Sequence, residues 1–453
     1  MEKQQIYFAH PEQLNDPMEG MRLYYWQGDE IVWRNLLKHY LLCLEHMILL
    51  ARLTDEDEQL KKEDIPVFKS FDSLPTESYK KRIQEIYDVF FSNNFVENYL
   101  QFIIVNPNKI YEEEMFVHLK LLSNYALDAI LEIDIKHGLV PDSSEKGRKR
   151  RDTEDFSKGF TGVWDELKTD LNGEENYKIL MQVISEYMRE MDHQHLYQLK
   201  DSVKMRNIFI EFPQLYLDAI KKLTYPEAYI ACFMDSCNNS SIWGSYGDNH
   251  RGVCLKYKVA DEQNPVLNLK SIIGYSSSGK TYGYRKYPLQ KISYSTDFEE
   301  LDFFRNIGRI PINPLLNQWY MNEAGELSEC AGHIKEDMEE EMEEWRKNHW
   351  ESFEKAFLKK LPEWSSEREY RIILSSVLDS FTNPQDRLLE YEFEDLEAII
   401  FGLRTPIDEK NKIIELVSRK CQELGVQEFN FYEMAYSTTK QEMYQRKVLT
   451  VNN

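Results

Sequence analysis

Two hydrophobic rhythms divide the chain. Across residues 33–139, apolar side chains recur three and four positions apart, as in NLLKHYLLCLEHMILLARL and MFVHLKLLSNYALDAILEIDI, the spacing that lines one face of an α-helix. A proline-bearing loop at 61–81 and the Asn106-Pro107-Asn108 break interrupt the pattern, which predicts a bundle of about four helices. A further helical block, including NYKILMQVISEYMREMDHQHLYQLK, continues to Leu223, and Pro226 closes it.

Elsewhere the rhythm is that of strands. Short runs of β-branched and aromatic residues occur at 5–9, 229–234, 253–257 and 367–374, and again in LLEYEFEDLEAIIFG, QEFNFYEM and MYQRKVLTV. A helix, DEKNKIIELVSRKCQELG, falls among the last of these. The pattern predicts an α+β protein, with a mixed or antiparallel sheet domain built from both chain ends and a large helical insertion. Residues 1–20 would supply the first strand and an Asn-Asp-Pro turn, 21–225 the insertion, and 226–453 the rest of one sheet domain. Within the last part, EDMEEEMEEW centres a long acidic helix at about 323–361. Residues 229–257, about which the rest is organised, read as a strand, a polar loop, a short turn or helix bearing Trp243, Tyr246 and His250, and a second strand, either framing a site or forming a plain hairpin. The extended stretch after it contains SSSGK, which lacks the first glycine of a phosphate-cradling loop and leads into TYGY rather than a helix, so a hairpin tip is expected.

Charge and cysteine usage narrow the function classes. A net charge of −23 argues against binding nucleic acid through a general field. Five basic residues between Lys146 and Arg151 form either a local nucleic-acid or acidic-partner contact or a solvated loop. The acidic helix is either a solvated face or an acceptor for a basic protein partner, a role the helical insertion could share. Six cysteines without a CxxC pair or Cys/His spacing predict neither zinc nor a disulfide framework. With no apolar leader and no run of about 18 apolar residues, a cytoplasmic protein with no membrane contact is expected.

Candidate chemistry concentrates in three places. The turn HPEQLNDPMEG offers Asn15 and Asp16 beside a dihedral fixed by Pro17, either as ligand contacts or as a surface turn. The loop after the 229–234 strand carries Trp243, Tyr246 and His250, either facing a ligand or packing as core. In EWSSEREYRIIL, the period of a strand sets Glu367, Glu369 and Arg371 on one face. There Arg371 would hold one carboxylate ionised while its neighbour takes a raised pKa, which suits general-base work or binding of ribose hydroxyls; a structural ion pair is the alternative. Arg404, at the end of AIIFGLRTP, leaves a strand where ligands often sit.

In order, LNDPMEG, IWGSYGDNHRGVCLKY, EWSSEREYRIIL and AIIFGLRTP resemble an uncharacterised bacterial family, a domain of unknown function found near mobile and antiviral genes. Its members carry an Asn-Asp-Pro turn, Trp-x-x-Tyr-x-x-x-His-x-Gly and Glu-x-Glu-x-Arg, here at 14–17, 243–252 and 367–371. The likeness covers about 200 residues at the two ends and leaves the helical block unmatched. The opening of many members is similar to the first NAD-binding element of ADP-ribosyltransferases. That resemblance implies NAD as substrate, Tyr246 as the aromatic that stacks on nicotinamide, and Glu369 as the base or ribose ligand, with Glu367 and His250 beside it as catalytic candidates. Arg371, Asn15, Asp16, His10 and Trp243 would complete the cofactor contacts. Only MEKQ precedes the first strand here, so either His10 or His250 stands in for the missing element or NAD chemistry is lost. The other function implied is a non-catalytic sensor or interaction component of a defence system.

Overall fold

A computed structural model describes residues 2–54, 61–141, 174–198, 206–277, 279–334 and 339–452. The basic residues between Lys146 and Arg151 lie outside them. The protein is α+β, with 48% helix and 24% strand in antiparallel and mixed sheets. It divides into a sheet-rich unit (residues 1–21, 226–299 and 351–453) and a helix-rich unit (22–225 and 300–350).

In the helix-rich unit the predicted bundle is Glu30–Leu53, Glu77–Phe91, Asn94–Ile104 and Glu112–Lys136, followed by Glu174–Gln198 and Phe212–Ile220. Caps explain several starts: the carboxylate of Asp29 accepts from the Ile31 amide at 3.1 Å, and Asn93 accepts from Phe95 at 2.9 Å. Within the bundle, Arg82 pairs with Glu45 and Asp134, and Arg52 meets Asp134 at 2.6 Å. The 323–361 acidic helix is shorter than expected. Among the described residues it is Glu339–Phe357, because the chain upstream is spent on short turns around Gly325 and the Glu329–Ile334 3-10 helix. Residues 300–350 group with the helix-rich unit, whereas strand rhythm alone assigns them to the sheet domain. Among the described residues no helix is long and apolar enough to cross a membrane.

Among the described residues the sheet-rich unit holds four sheets rather than one. Gln5–Tyr7, Leu388–Tyr391, Val266–Ser276 and Gly279–Pro288 form the first, in that order. Ala228–Met234, Glu369–Ser375 and Gln290–Lys291 form the second, also antiparallel. Glu442–Asn452, Glu428–Ser437, Leu396–Phe401 and Val253–Tyr257 form the third, in which helix Ile407–Leu424 connects the parallel pair Leu396–Phe401 and Glu428–Ser437. A two-residue parallel pairing joins Lys359–Lys360 to Ser293–Tyr294. Phe8, Tyr229, Leu269, Ile372, Ile399, Phe401 and Phe431 pack into one core fed by the three larger sheets.

The strands flanking residues 235–252 are therefore not a hairpin. Ala228–Met234 takes Glu369–Ser375 as partner and Val253–Tyr257 takes Leu396–Phe401. The chain between them coils into helix Ser240–Ser245 and a tight turn. In that turn Asp248, Asn249 and His250 all have left-handed φ, of 46°, 52° and 71°. The His250 carbonyl then presses on Gly402, where a Cβ would meet it at 2.2 Å. Gly402→Ala has no flexible side chain to push aside and should lower stability by about 1–3 kcal/mol in urea denaturation. Gly274→Ala, with nothing within 4 Å of its Cβ, is the matched control and should leave the midpoint unchanged or raised.

Candidate functional site

Five charged side chains from distant segments meet inside the sheet-rich unit. Arg371 is 0% exposed, in the strand Glu369–Ser375. Its Nε donates to Glu369 Oε1 at 2.6 Å, and its Nη2 and Nη1 contact the two oxygens of Glu19 at 2.6 and 2.5 Å. Nη1 also donates to the Phe357 carbonyl at 2.7 Å. Such a guanidinium holds two carboxylates and a backbone oxygen with its planar donors, a geometry an ammonium cannot copy.

Lys360 is the second cation. Its Nζ donates to Glu367 Oε2 at 2.7 Å and Glu369 Oε2 at 3.0 Å, and lies 3.5 Å from Glu19 Oε1. The pairing with Ser293–Tyr294 places it there, and the Trp364 ring sits over the ammonium at 4.7 Å. Tyr294 closes the arrangement from the same strand, its hydroxyl accepting from the Glu369 amide at 2.8 Å.

The carboxylates converge by a route the strand pattern does not contain. Glu367 ends a 3-10 helix, Pro362–Glu367, and is not in the strand. Arg368 follows with φ 48°, turning the chain so that Glu367 and Glu369 both reach Lys360. Glu19 comes from the Asn-Asp-Pro turn. Asp16 Oδ1 accepts from the Met18 amide at 2.9 Å, and the Glu19 amide donates to the Asp16 carbonyl. Gly20 then takes φ +70° with its α-carbon against the Phe357 ring.

The loop 235–252 docks on this cluster. The Tyr246 hydroxyl donates to Glu367 Oε1 at 2.9 Å, with the Asn15 side chain near enough to lower its pKa, while Asn239 Nδ2 donates to the Ser366 carbonyl at 2.9 Å. Tyr246 is 46% exposed, so its ring covers the buried charges and meets solvent. The structure thus brings Tyr246 together with Glu367, Glu369 and Arg371, with Asn15 nearby.

Five other candidates lie elsewhere or do other work. His10 caps the short helix Pro11–Gln13, its ring accepting from the Glu12 amide, and packs on Tyr229. Tyr229 pairs with Leu374 and Met234 with Glu369, five residues further along the ladder and so about 17 Å away. Trp243 is core: its indole donates to the Cys237 carbonyl at 2.6 Å and it packs with Ile400, Met434 and Met443. His250 contributes its backbone, donating to the Trp243 carbonyl and accepting from the Arg404 amide, and no hydrogen bond of its ring joins it to the cluster. Asp16 is buried and shapes the turn, its Oδ2 making no hydrogen bond among the described residues. Arg404 is exposed beyond the strand end. Glu19, Lys360, Tyr294 and Trp364 carry no strand or helix rhythm that singles them out; only the position of Glu19 in the same turn as Asp16 marks it.

Burial and pairing push the carboxyls apart. For Glu369, burial opposes the charge, but Arg371 and Lys360 outweigh it and hold the pKa below the usual 4.5. For Glu19, burial wins over the same two cations, and the neighbouring Glu369 charge adds to the rise. Burial also raises the Tyr246 hydroxyl, with the Glu367 charge adding to it. Three carboxylates face two cations. A proton on Glu19 makes the cluster neutral. Among the described residues no group of three or more His, Cys, Asp or Glu could hold a metal ion. Comparison with protein-family models, curated proteins and solved structures gives no match.

Removing Arg371 would strand two buried carboxylates. Arg371→Met should cost about 3–5 kcal/mol in chemical denaturation, and Arg371→Lys should recover only part of it. The two shifted carboxyls give opposite pH dependences. Stability from Glu369 is fully present above about pH 4.5 and is lost as pH falls through its lowered folded value, so Glu369→Gln should flatten the acid limb. Glu19 binds its proton more tightly when folded, so its contribution fades as pH rises from about 4.5 through the raised value, and Glu19→Gln should remove that decline. Melting temperatures from about pH 3 to 8 for the three proteins check both signs.

Proposed function

We propose that the chain is a nucleotide-directed enzyme of the glycosyl-transfer type, acting on NAD or a related nucleotide where Asn15 and Tyr246 meet Glu367. The observation that carries this reading is the Tyr246–Glu367 hydrogen bond: a solvent-facing aromatic ring tied at 2.9 Å to a carboxylate that is otherwise buried against a lysine. An aromatic face beside positioned polar groups suits a flat heterocycle and its ribose. Glu367 is the carboxylate within reach of such a ligand, and Glu369, 1% exposed with both oxygens ion-paired, positions it through Lys360. In the reaction the ribose C1′–N bond breaks, nicotinamide leaves with the bonding electrons, and an acceptor O–H or N–H adds to C1′ while its proton passes to Glu367.

The enclosure of Glu369 favours a second reading, in which the cluster is a structural network in a non-catalytic sensor or interaction protein of a defence system. Partner contacts would then come from the helix-rich unit or the acidic helix. Nicotinamide release on incubation with NAD separates the two. The first reading expects release by the wild type and a loss of about 10²–10⁴-fold in Glu367→Gln with the fold retained. Folded wild type that releases no nicotinamide and shows no thermal shift with NAD overturns it and leaves the second.

A further inference from the structure

The hairpin of Val266–Ser276 and Gly279–Pro288 ends the first sheet of the sheet-rich unit, with Gly279–Pro288 as its outer strand. An outer strand has unpaired backbone groups along its free edge, and proteins usually cover, shorten or twist such an edge. This one is ten residues long and exposed at 279–282 and 284–286. Tyr282 and Tyr284 stand 51% and 44% exposed along it, and Tyr275 of the neighbouring strand 53%.

Its charge is as unusual as its exposure. In a chain of net charge −23, residues 266–288 contain Lys270, Lys280, Arg285 and Lys286 and no acid. Lys270 is paired with Glu390 at 3.1 Å and Lys280 with Asp386 at 2.5 Å. Arg285 and Lys286, adjacent and so on opposite faces of the strand, make no ion pair among the described residues. We propose that this edge is a docking site for an extended, acidic peptide segment of a partner protein. The segment adds a strand beside Gly279–Pro288, lays apolar side chains on Tyr282 and Tyr284, and places carboxylates against Arg285 and Lys286.

A nucleic-acid strand fits less well. Its regular phosphates would run beside Glu390 and Asp386, which already take up the other two lysines, whereas a peptide needs negative charge only at Arg285 and Lys286.

The full chain is titrated with a fluorescein-labelled Glu-Val peptide, rich in Val and carrying one adjacent Glu-Glu pair so that a carboxylate reaches each face, matched in length to the strand. A Lys-Val peptide and an oligothymidylate are run in parallel. Saturable binding of the Glu-Val peptide is expected, weakened at least about tenfold in the Arg285→Glu/Lys286→Glu double variant. Hydrogen exchange with bound peptide should slow at 279–288. Any one of three results overturns the proposal: no saturable binding, equal binding of the Lys-Val peptide or by the double variant, or displacement of the peptide by oligothymidylate. Protection confined to other strands has the same force.

Discussion

The sheet-rich unit depends on one buried guanidinium. Arg371 sits where no water reaches, and it is tolerable there because its planar donors all find oxygen: Glu369 two residues away, Glu19 from the first turn of the chain, and the carbonyl of Phe357. The desolvation of a charge in such a place is large, so the partners have to be fixed before the charge is enclosed. Much of the local irregularity serves that end. The left-handed Arg368, the sharp reversal at Gly20 and the short parallel pairing at Lys360 each aim a side chain at this point rather than extend a regular element.

The same cluster sets the electrostatics of the surface above it. Glu367 is shared between a buried lysine and a tyrosine that meets solvent. Tyr246 is therefore linked, through Glu367 and Lys360, to Glu19, whose pKa burial raises. Two like carboxylates held apart in pKa by their surroundings are a familiar arrangement for acid–base work, and equally the signature of a tightly packed ion network.

How much of this was legible in the chain depends on the range of the contact. Helices such as Glu30–Leu53 and Glu112–Lys136 follow the apolar spacing closely, because burial of one face decides them locally. Glu369 and Arg371 share a face because a strand has period two, and that too is local. Glu367 reaches the same place through a turn that a period-two reading does not contain. Lys360 and Glu19 escape notice because nothing near them in sequence shows that a parallel pairing and a proline turn bring them to Arg371. Trp243 and His250 stand in the same motif as Tyr246, yet one packs as core and the other serves through its carbonyl. Spacing conveys that a loop is specified, and not which of its side chains faces outward. The supposed hairpin failed for a related reason: strand partners are chosen by the best available neighbour, not by proximity along the chain.

The span of the Glu19–Arg371 pair, 352 residues, bears on how the molecule is made. At translation rates of roughly 5–20 residues per second, Glu19 leaves the ribosome some 20–70 s before its guanidinium partner. Throughout that interval Glu19 lacks its guanidinium, while the early helices can associate at once through contacts close in sequence. Docking of the amino-terminal strand is thereby a late event, dictated by synthesis order as much as by affinity.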